Sequence, residues 1–378
     1  MPYQDEFAGY RSLRRITETA RVQQLLRRSR IHTASSIARV TPKSASGLVG
    51  APLEFVVAID GSYAEVNVQN GYPGAMIGYC TVASVLLKLG LIDQLDQQRP
   101  IDPQEFRRTE EAATIDAALP GSNVVTHTNQ SARDSFREAL YEVLHDVIVD
   151  EDDRTNLLDT YEALLARKPS TRPQTCPYEY DGCQEHFPVG RGIKNCNCAL
   201  RRPIYSTDAL RIHESFRDTG TNGELLTEVM QVWERILLVH LLRGFEQRGW
   251  LDARIKKLAF ILDGPLAIFG HPAWLSAAIS EELKRLNGIV HKNTGTDLLI
   301  LGVEKSGTFV THFDEIDQTE KPGENFFSPA SYALLTDIYI KERVIYSDSN
   351  KRYGLDTYFG RKFFYKTIGG ARIVARGC

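Results

Sequence analysis

Two short apolar runs, far apart in the chain, stop at the same dipeptide. Phe55-Val-Val-Ala-Ile59 leads into Asp60-Gly61, and Leu258-Ala-Phe-Ile-Leu262 leads into Asp263-Gly264. A β-branched and aromatic run of that length, closed by Asp-Gly, reads as a buried strand that delivers a carboxylate to the end of a sheet. If the two strands are neighbours, two hard oxygen donors lie side by side, the arrangement that holds Mg²⁺ or Mn²⁺ for phosphoryl chemistry. The same dipeptide also serves as an ordinary turn in which aspartate caps its own backbone.

Around the first run the pattern is strand-like up to Ala75–Leu89, with Gly71-Tyr-Pro-Gly74 as a turn and a helix expected at Thr81–Gly90. Turns this short cannot carry parallel crossovers, which argues against a doubly wound parallel sheet. Helices are expected over residues 131–149, 157–166, 224–247 and 272–286, the last capped by Gly288, with a further strand at Leu298–Val303. Beyond it come a strand at Thr308–His312, a helix at Ala333–Lys341 and strands at 344–347, 362–367 and 371–375. The order reads as α/β, a ribonuclease H-like mixed sheet flanked by helices.

Within this frame Glu110, on an expected helix in Arg107-Arg-Thr-Glu110, is a candidate third acid, and Glu111 fits the same spacing. Lys305 follows the third buried strand and is placed to face a phosphate as a point charge. Asp337 is a possible further acid. His271, His312 and Asp314 read as turn residues.

Bulk composition excludes little. The 378 residues are 42% hydrophobic and 25% charged with a net charge of −3, so there is no global basic signature of a nucleic-acid coat. The positive charge is concentrated instead: residues 1–45 carry nine Lys/Arg against three acids, on an amphipathic pattern. This basic helical arm reads either as a solvated helix packed by its apolar stripe or as a surface for DNA or a partner. The remainder, 46–378, reads as one domain. No run approaches the roughly twenty apolar residues of a membrane span, and no signal-peptide core opens the chain; a cytoplasmic location is expected.

In that compartment clustered cysteines point to metal. Cys176, Cys183, Cys196 and Cys198 fall in a Pro/Gly/Arg-rich insertion at 168–204, spaced C-x6-C-x12-C-x-C. They read as a structural Zn²⁺ site, with His186 and His213 as substitute ligands, or as reduced thiols in a loop. Arg201, Arg202 and Lys194 stand beside them, and Cys80 reads as core.

Taken in order, Ala58-Ile-Asp-Gly-Ser62, Arg107-Arg-Thr-Glu110, Phe260-Ile-Leu-Asp-Gly-Pro-Leu266 and Leu301-Gly-Val-Glu-Lys305 resemble the NurA nuclease family. Tyr205–Glu214 and Tyr358–Tyr365 resemble its bacterial branch. The resemblance implies Mn²⁺-dependent DNA end processing (Mg²⁺ as the alternative), with exonuclease and single-strand endonuclease activity. It further implies homodimers that act with HerA, a hexameric DNA-translocating ATPase, in repair or antiphage defence. Asp60, Glu110 and Asp263 would be the metal ligands, with Lys305 nearby. Members carry a late Ala-His segment, and this chain stops at Cys378 before one; the C-terminal part of the family domain is expected to be missing. A second expectation follows from that, a non-catalytic subunit that binds DNA and regulates or loads a translocase.

Overall fold

In the computed structural model, residues 18–28, 40–48, 50, 52–69, 71–92, 94, 110–127, 130–149, 155–168, 174–187, 189–319, 324–347, 350, 352 and 360–377 are described. Arg107, Arg108 and most of the basic arm lie outside them. The arm contributes helix α1 (Ala20–Arg28), with Leu25, Arg27 and Arg28 exposed.

The strands are β1 (Lys43–Ser44), β2 (Phe55–Asn67), β3 (Met76–Lys88), β4 (Glu110–Pro120), β5 (Gln174–Thr175), β6 (His186–Phe187), β7 (Ile193–Asn195), β8 (Pro203–Tyr205), β9 (Leu258–Asp263), β10 (Leu299–Glu304), β11 (Ser331–Leu334), β12 (Arg361–Lys366) and β13 (Arg372–Gly377). The main helices are α2 (Ala132–Asp146), α3 (Leu157–Leu165), α4 (Gly223–Gln247), α5 (Leu275–Thr294) and α6 (Thr308–Asp317).

Nine strands form one mixed sheet in the order β1-β11-β12-β13-β10-β9-β2-β3-β4. Its heart is ribonuclease H-like. Strands β2, β3 and β4 form an antiparallel meander, and β9 and β10 then add in parallel on the other side of β2. An antiparallel extension, β13-β12-β11, continues from β10. Strand β1 pairs with β11, so the sheet reaches back into the segment expected to be arm.

Side-chain alternation sorts the sheet into two faces. Val57 and Ile59 of β2, Cys80 and Val82 of β3, Ile115 and Ala117 of β4, and Phe260 and Leu262 of β9 enter one core with α2–α5. Helix α4 lies directly across β2 and β3. A second core, built by Phe309, Phe313, Phe327, Phe364 and Val374, joins α6 to the β12–β13 extension. Asp60 and Asp263 fall on the alternate positions of their strands, away from the first core.

Several expected boundaries are corrected. The strand at Asp60 does not end there: β2 runs on for seven more residues to Asn67, because β3 pairs with it along its whole length. The helix expected at Thr81–Gly90 is mostly strand. Cys80, Val82 and Ser84 are buried while their neighbours are not, a period of two that pairing on both sides enforces over helix propensity. Glu110 starts a strand, not a helix. Helix α5 runs through Gly288 and ends at Gly295, the residue that takes the left-handed φ of 71°. Thr308–His312 belongs to helix α6, whose Phe309 and Phe313 are four residues apart on one face. Residues 331–334 are strand, and 340–344 form a helical turn in place of the expected strand at 344–347.

Candidate active site

The two aspartates meet because their strands are adjacent and parallel. Ile59 registers with Leu262, so the next residues, Asp60 and Asp263, stand side by side across the pair. Lys305, just past the end of β10, completes the group: its Nζ lies 3.4 Å from Asp60 Oδ2 and 3.4 Å from Asp263 Oδ2. The two carboxylate oxygens are therefore no further apart than twice that distance, and one cation already bridges them. Burial works against the Lys305 charge, yet Asp263 and Asp60 outweigh it and hold the ammonium pKa above its ordinary value. Asp60 and Lys305 are more than half exposed, so an ion and a polymer phosphate can reach them.

The glycines after the two aspartates do different work. At Gly61 a Cβ would stand 2.5 Å from Met230 Cγ and 2.7 Å from Glu234 Oε1 of α4, so only glycine lets the helix approach. Gly264 adopts φ 71°, where side chains are strained, and turns the chain out of β9. One buried ion pair on α4 touches both places. Glu234 sits over Gly61 and binds Arg235, whose Nη2 donates to the carbonyls of Asp263 at 3.2 Å and Pro265 at 2.5 Å. Burial pulls the Arg235 pKa down to about 10, with Asp263 acting to raise it. Neither residue stands out in the sequence, where both lie inside a long apolar-striped helix.

Beside Asp263 a cavity of about 340 Å³ opens among Lys305, Ser306, Thr308, Phe309 and Lys362. Glu304 lines it too, but its carboxylate is already taken by the buried cations Lys362 at 2.5 Å and Arg376 at 3.7 Å. Burial draws the Lys362 pKa down to about 7, against the pull of Glu304.

Not every expected residue joins the group. Glu110 registers with Leu87, whereas Asp60 registers with Ala83 and through it with Thr114. Glu110 thus starts two strands and four residues from Asp60, roughly 16 Å by backbone spacing. Among the described residues no third His, Cys, Asp or Glu side chain comes within ligand distance of the pair. Asp116 of β4, which the sequence reading passed over, registers with Thr81, two residues from Ala83, and accepts a 2.7 Å hydrogen bond from the Thr81 hydroxyl. Its sequence signal was only an acid inside an alternating run. Asp337 follows β11, separated from β10 by β12 and β13. His271 is held by Glu228 and Ser215, His312 by Tyr339, and Asp314 faces Arg372.

The cysteine insertion folds as a separate small unit, β5–β8, on α2 and the residues after β8. It brings the Cys176, Cys183 and Cys196 thiols together within 4.8 Å of one another. His213 does not join them; it is buried beside Asp208, and burial lowers its pKa to about 4. Cys80 is core, as expected, and burial pushes its thiol up to about 12.

Among the described residues no helix is long and apolar enough to cross a membrane. The NurA domain family model matches residues 55–369, most of the chain. No curated protein matches it.

Proposed function

The chain belongs to the NurA family, a family of nucleases, and we propose from that premise that it is a metal-dependent deoxyribonuclease acting on DNA ends. The observation that carries the proposal is the convergence of Asp60, Asp263 and Lys305 at the ends of adjacent parallel strands. Hard carboxylate oxygens in an exposed cleft suit Mn²⁺ or Mg²⁺. Asp60 and Asp263 would hold the ion, which when bound supplies charge neutralisation at the phosphate and an acidified water. Glu110, the third ligand that the family resemblance implies, begins β4 roughly 16 Å from Asp60 by backbone spacing, so the ion is assigned to Asp60 and Asp263.

The residues do the rest of the work. The Lys305 ammonium, shared between the two carboxylates, would be free to pair with a non-bridging phosphate oxygen when Asp60 and Asp263 hold an ion. Arg235 fixes the carbonyls on either side of Gly264 and so sets where Asp263 points. The cavity beside Asp263 gives the group flanking the scissile phosphate somewhere to lie. We further assign to the protein a homodimeric state and a HerA-type hexameric ATPase as partner, in end processing for repair or defence. The thiol cluster is a different chemistry: its sulfur donors suit Zn²⁺, not Mn²⁺.

The test is cleavage of end-labelled single- and double-stranded DNA with and without Mn²⁺, with Asp60→Ala as control. Mn²⁺-dependent degradation abolished by the substitution supports the proposal. Cleavage that survives it removes Asp60 from the mechanism. If the protein cuts nothing yet stimulates a translocase ATPase, the non-catalytic reading replaces this one.

A further inference from the structure

We propose that Cys176, Cys183, Cys196 and Cys198 hold one Zn²⁺ as a tetrathiolate that fastens residues 174–205 to the helical layer. The inference is independent of the nuclease reading, because it rests on other residues and a different metal.

The sulfurs are spaced for a shared ion. Cys176 Sγ lies 3.3 Å from Cys196 Sγ, and Cys183 Sγ lies 3.6 Å from it. A disulfide needs about 2.05 Å, whereas ligands at about 2.3 Å around a tetrahedral Zn²⁺ stand a little under 4 Å apart. All four cysteines are free. Cys198 is the fourth ligand. It lies two residues beyond Cys196, whose sulfur its own N–H meets at 3.4 Å, beside the three thiols that lie within 4.8 Å of one another.

The backbone folds tightly around these sulfurs, and one amide is aimed at them. The Cys198 N–H donates to Cys196 Sγ at 3.4 Å, while the Cys183 N–H donates to the Tyr178 carbonyl at 3.2 Å and the Arg201 N–H to the Cys198 carbonyl at 3.1 Å, closing the chain around the sulfurs. An N–H donor to sulfur stabilises the thiolate, the form that binds metal. Cys176 and the pair Cys196 and Cys198 therefore sit in two tight turns, 176–179 and 196–201, and Cys183 is tied back to the first through the Tyr178 carbonyl.

The unit has little else to hold it. Its strands are two or three residues long, and its buried core is Cys176, Tyr178, Phe187, Cys196 and Ile204. A core this small needs a staple, which Zn²⁺ binding supplies as folding free energy. The staple also sets the docking. Tyr178, two residues after Cys176, lies with its ring between the Arg137 guanidinium at 4.4 Å and the Arg202 guanidinium at 3.7 Å. Arg137 is in turn paired with Asp208 through two 2.7 Å bonds, and both Arg137 and Tyr178 donate to the Pro203 carbonyl.

The test uses the full chain purified without chelator. Elemental analysis should find one zinc per chain. Protein grown with Co²⁺ should show the thiolate-to-cobalt charge transfer and the intense visible bands of tetrahedral cobalt. Cys198→Ser should keep the fold and shift those bands; Cys80→Ser should leave them unchanged. In case Cys176→Ser fails to fold, thiol titration of the unmodified protein is a second readout. With zinc bound, the four thiols should resist modification until a strong chelator releases the metal. Absence of zinc, four freely reactive thiols in native protein, or full zinc content in a Cys196→Ser/Cys198→Ser double variant would each overturn the proposal.

Discussion

The chain carries two places where side chains converge as ligands do, and it builds them by opposite means. The carboxylate group is exposed, spans three strands, and is charge-balanced by a lysine that a metal can displace. The thiol group is half-buried to buried, lies in loops, and has a backbone amide, that of Cys198, donating to one of its sulfurs. The difference follows from what each ion must do. A catalytic ion has to meet water and substrate, so its protein ligands are few and held by a rigid sheet. A structural ion closes its own shell, so its ligands come from chain that would otherwise have no reason to be ordered.

Variants can break this contrast, beginning with the largest effect. Asp60→Asn or Asp263→Asn should lower Mn²⁺-dependent cleavage by about 10³-fold or more while thermal stability and zinc content stay unchanged, read by single-turnover kinetics and elemental analysis. Loss of zinc in either variant would couple sites that the account keeps separate. Lys305→Met should cost less, about 10- to 100-fold, and should not weaken metal binding, since an ammonium competes with the ion for the same oxygens. Gly61→Ala drives a methyl into Met230 and Glu234 and should destabilise by roughly 1–3 kcal/mol in urea unfolding.

Acid separates the two regions differently. The His213 pKa is about 4 in the folded chain against an ordinary 6.5, so between those values the unfolded chain binds the extra proton. The stability that this neutral, buried imidazole contributes is complete above pH 6.5 and lost as pH falls toward 4. Between pH 7 and pH 5 the loss should be about 2 kcal/mol, and His213→Gln should flatten that slope. His213 adjoins Asp208, so acid should loosen the dock beneath the cysteine unit rather than the carboxylate cleft. The smallest effect is at Gly264→Ala, about 1 kcal/mol from the left-handed φ alone.

Much of the carboxylate site was legible in the sequence, because buried strands and Asp-Gly are local signals. Adjacency of β2 and β9 is not local, yet matching apolar leads pointed to it. What misled was treating both Asp-Gly pairs as strand ends. Only Asp263 ends its strand; at Asp60 the glycine answers to Glu234 and Met230, residues far away in sequence. The Glu234–Arg235 pair was illegible for the same reason: a helix pattern shows which face is buried, not which strand ends lie beneath it. Likewise β3 and α6 were misassigned where sheet pairing or aromatic packing overrode local pattern. The thiol cluster was legible as a group of cysteines, but not the turns that bring three of the sulfurs together.

The claim on which the account depends is that Asp60 and Asp263 hold the catalytic ion, and Mn²⁺ binding tests it without any need for turnover. Electron paramagnetic resonance of free Mn²⁺, titrated with the zinc-loaded protein, should show the signal suppressed on binding. The Asp60→Asn/Asp263→Asn double variant, folded and with its zinc in place, should leave that signal at the level of buffer alone. Equal suppression by the variant and the unmodified chain would place the ion elsewhere and contradict the account.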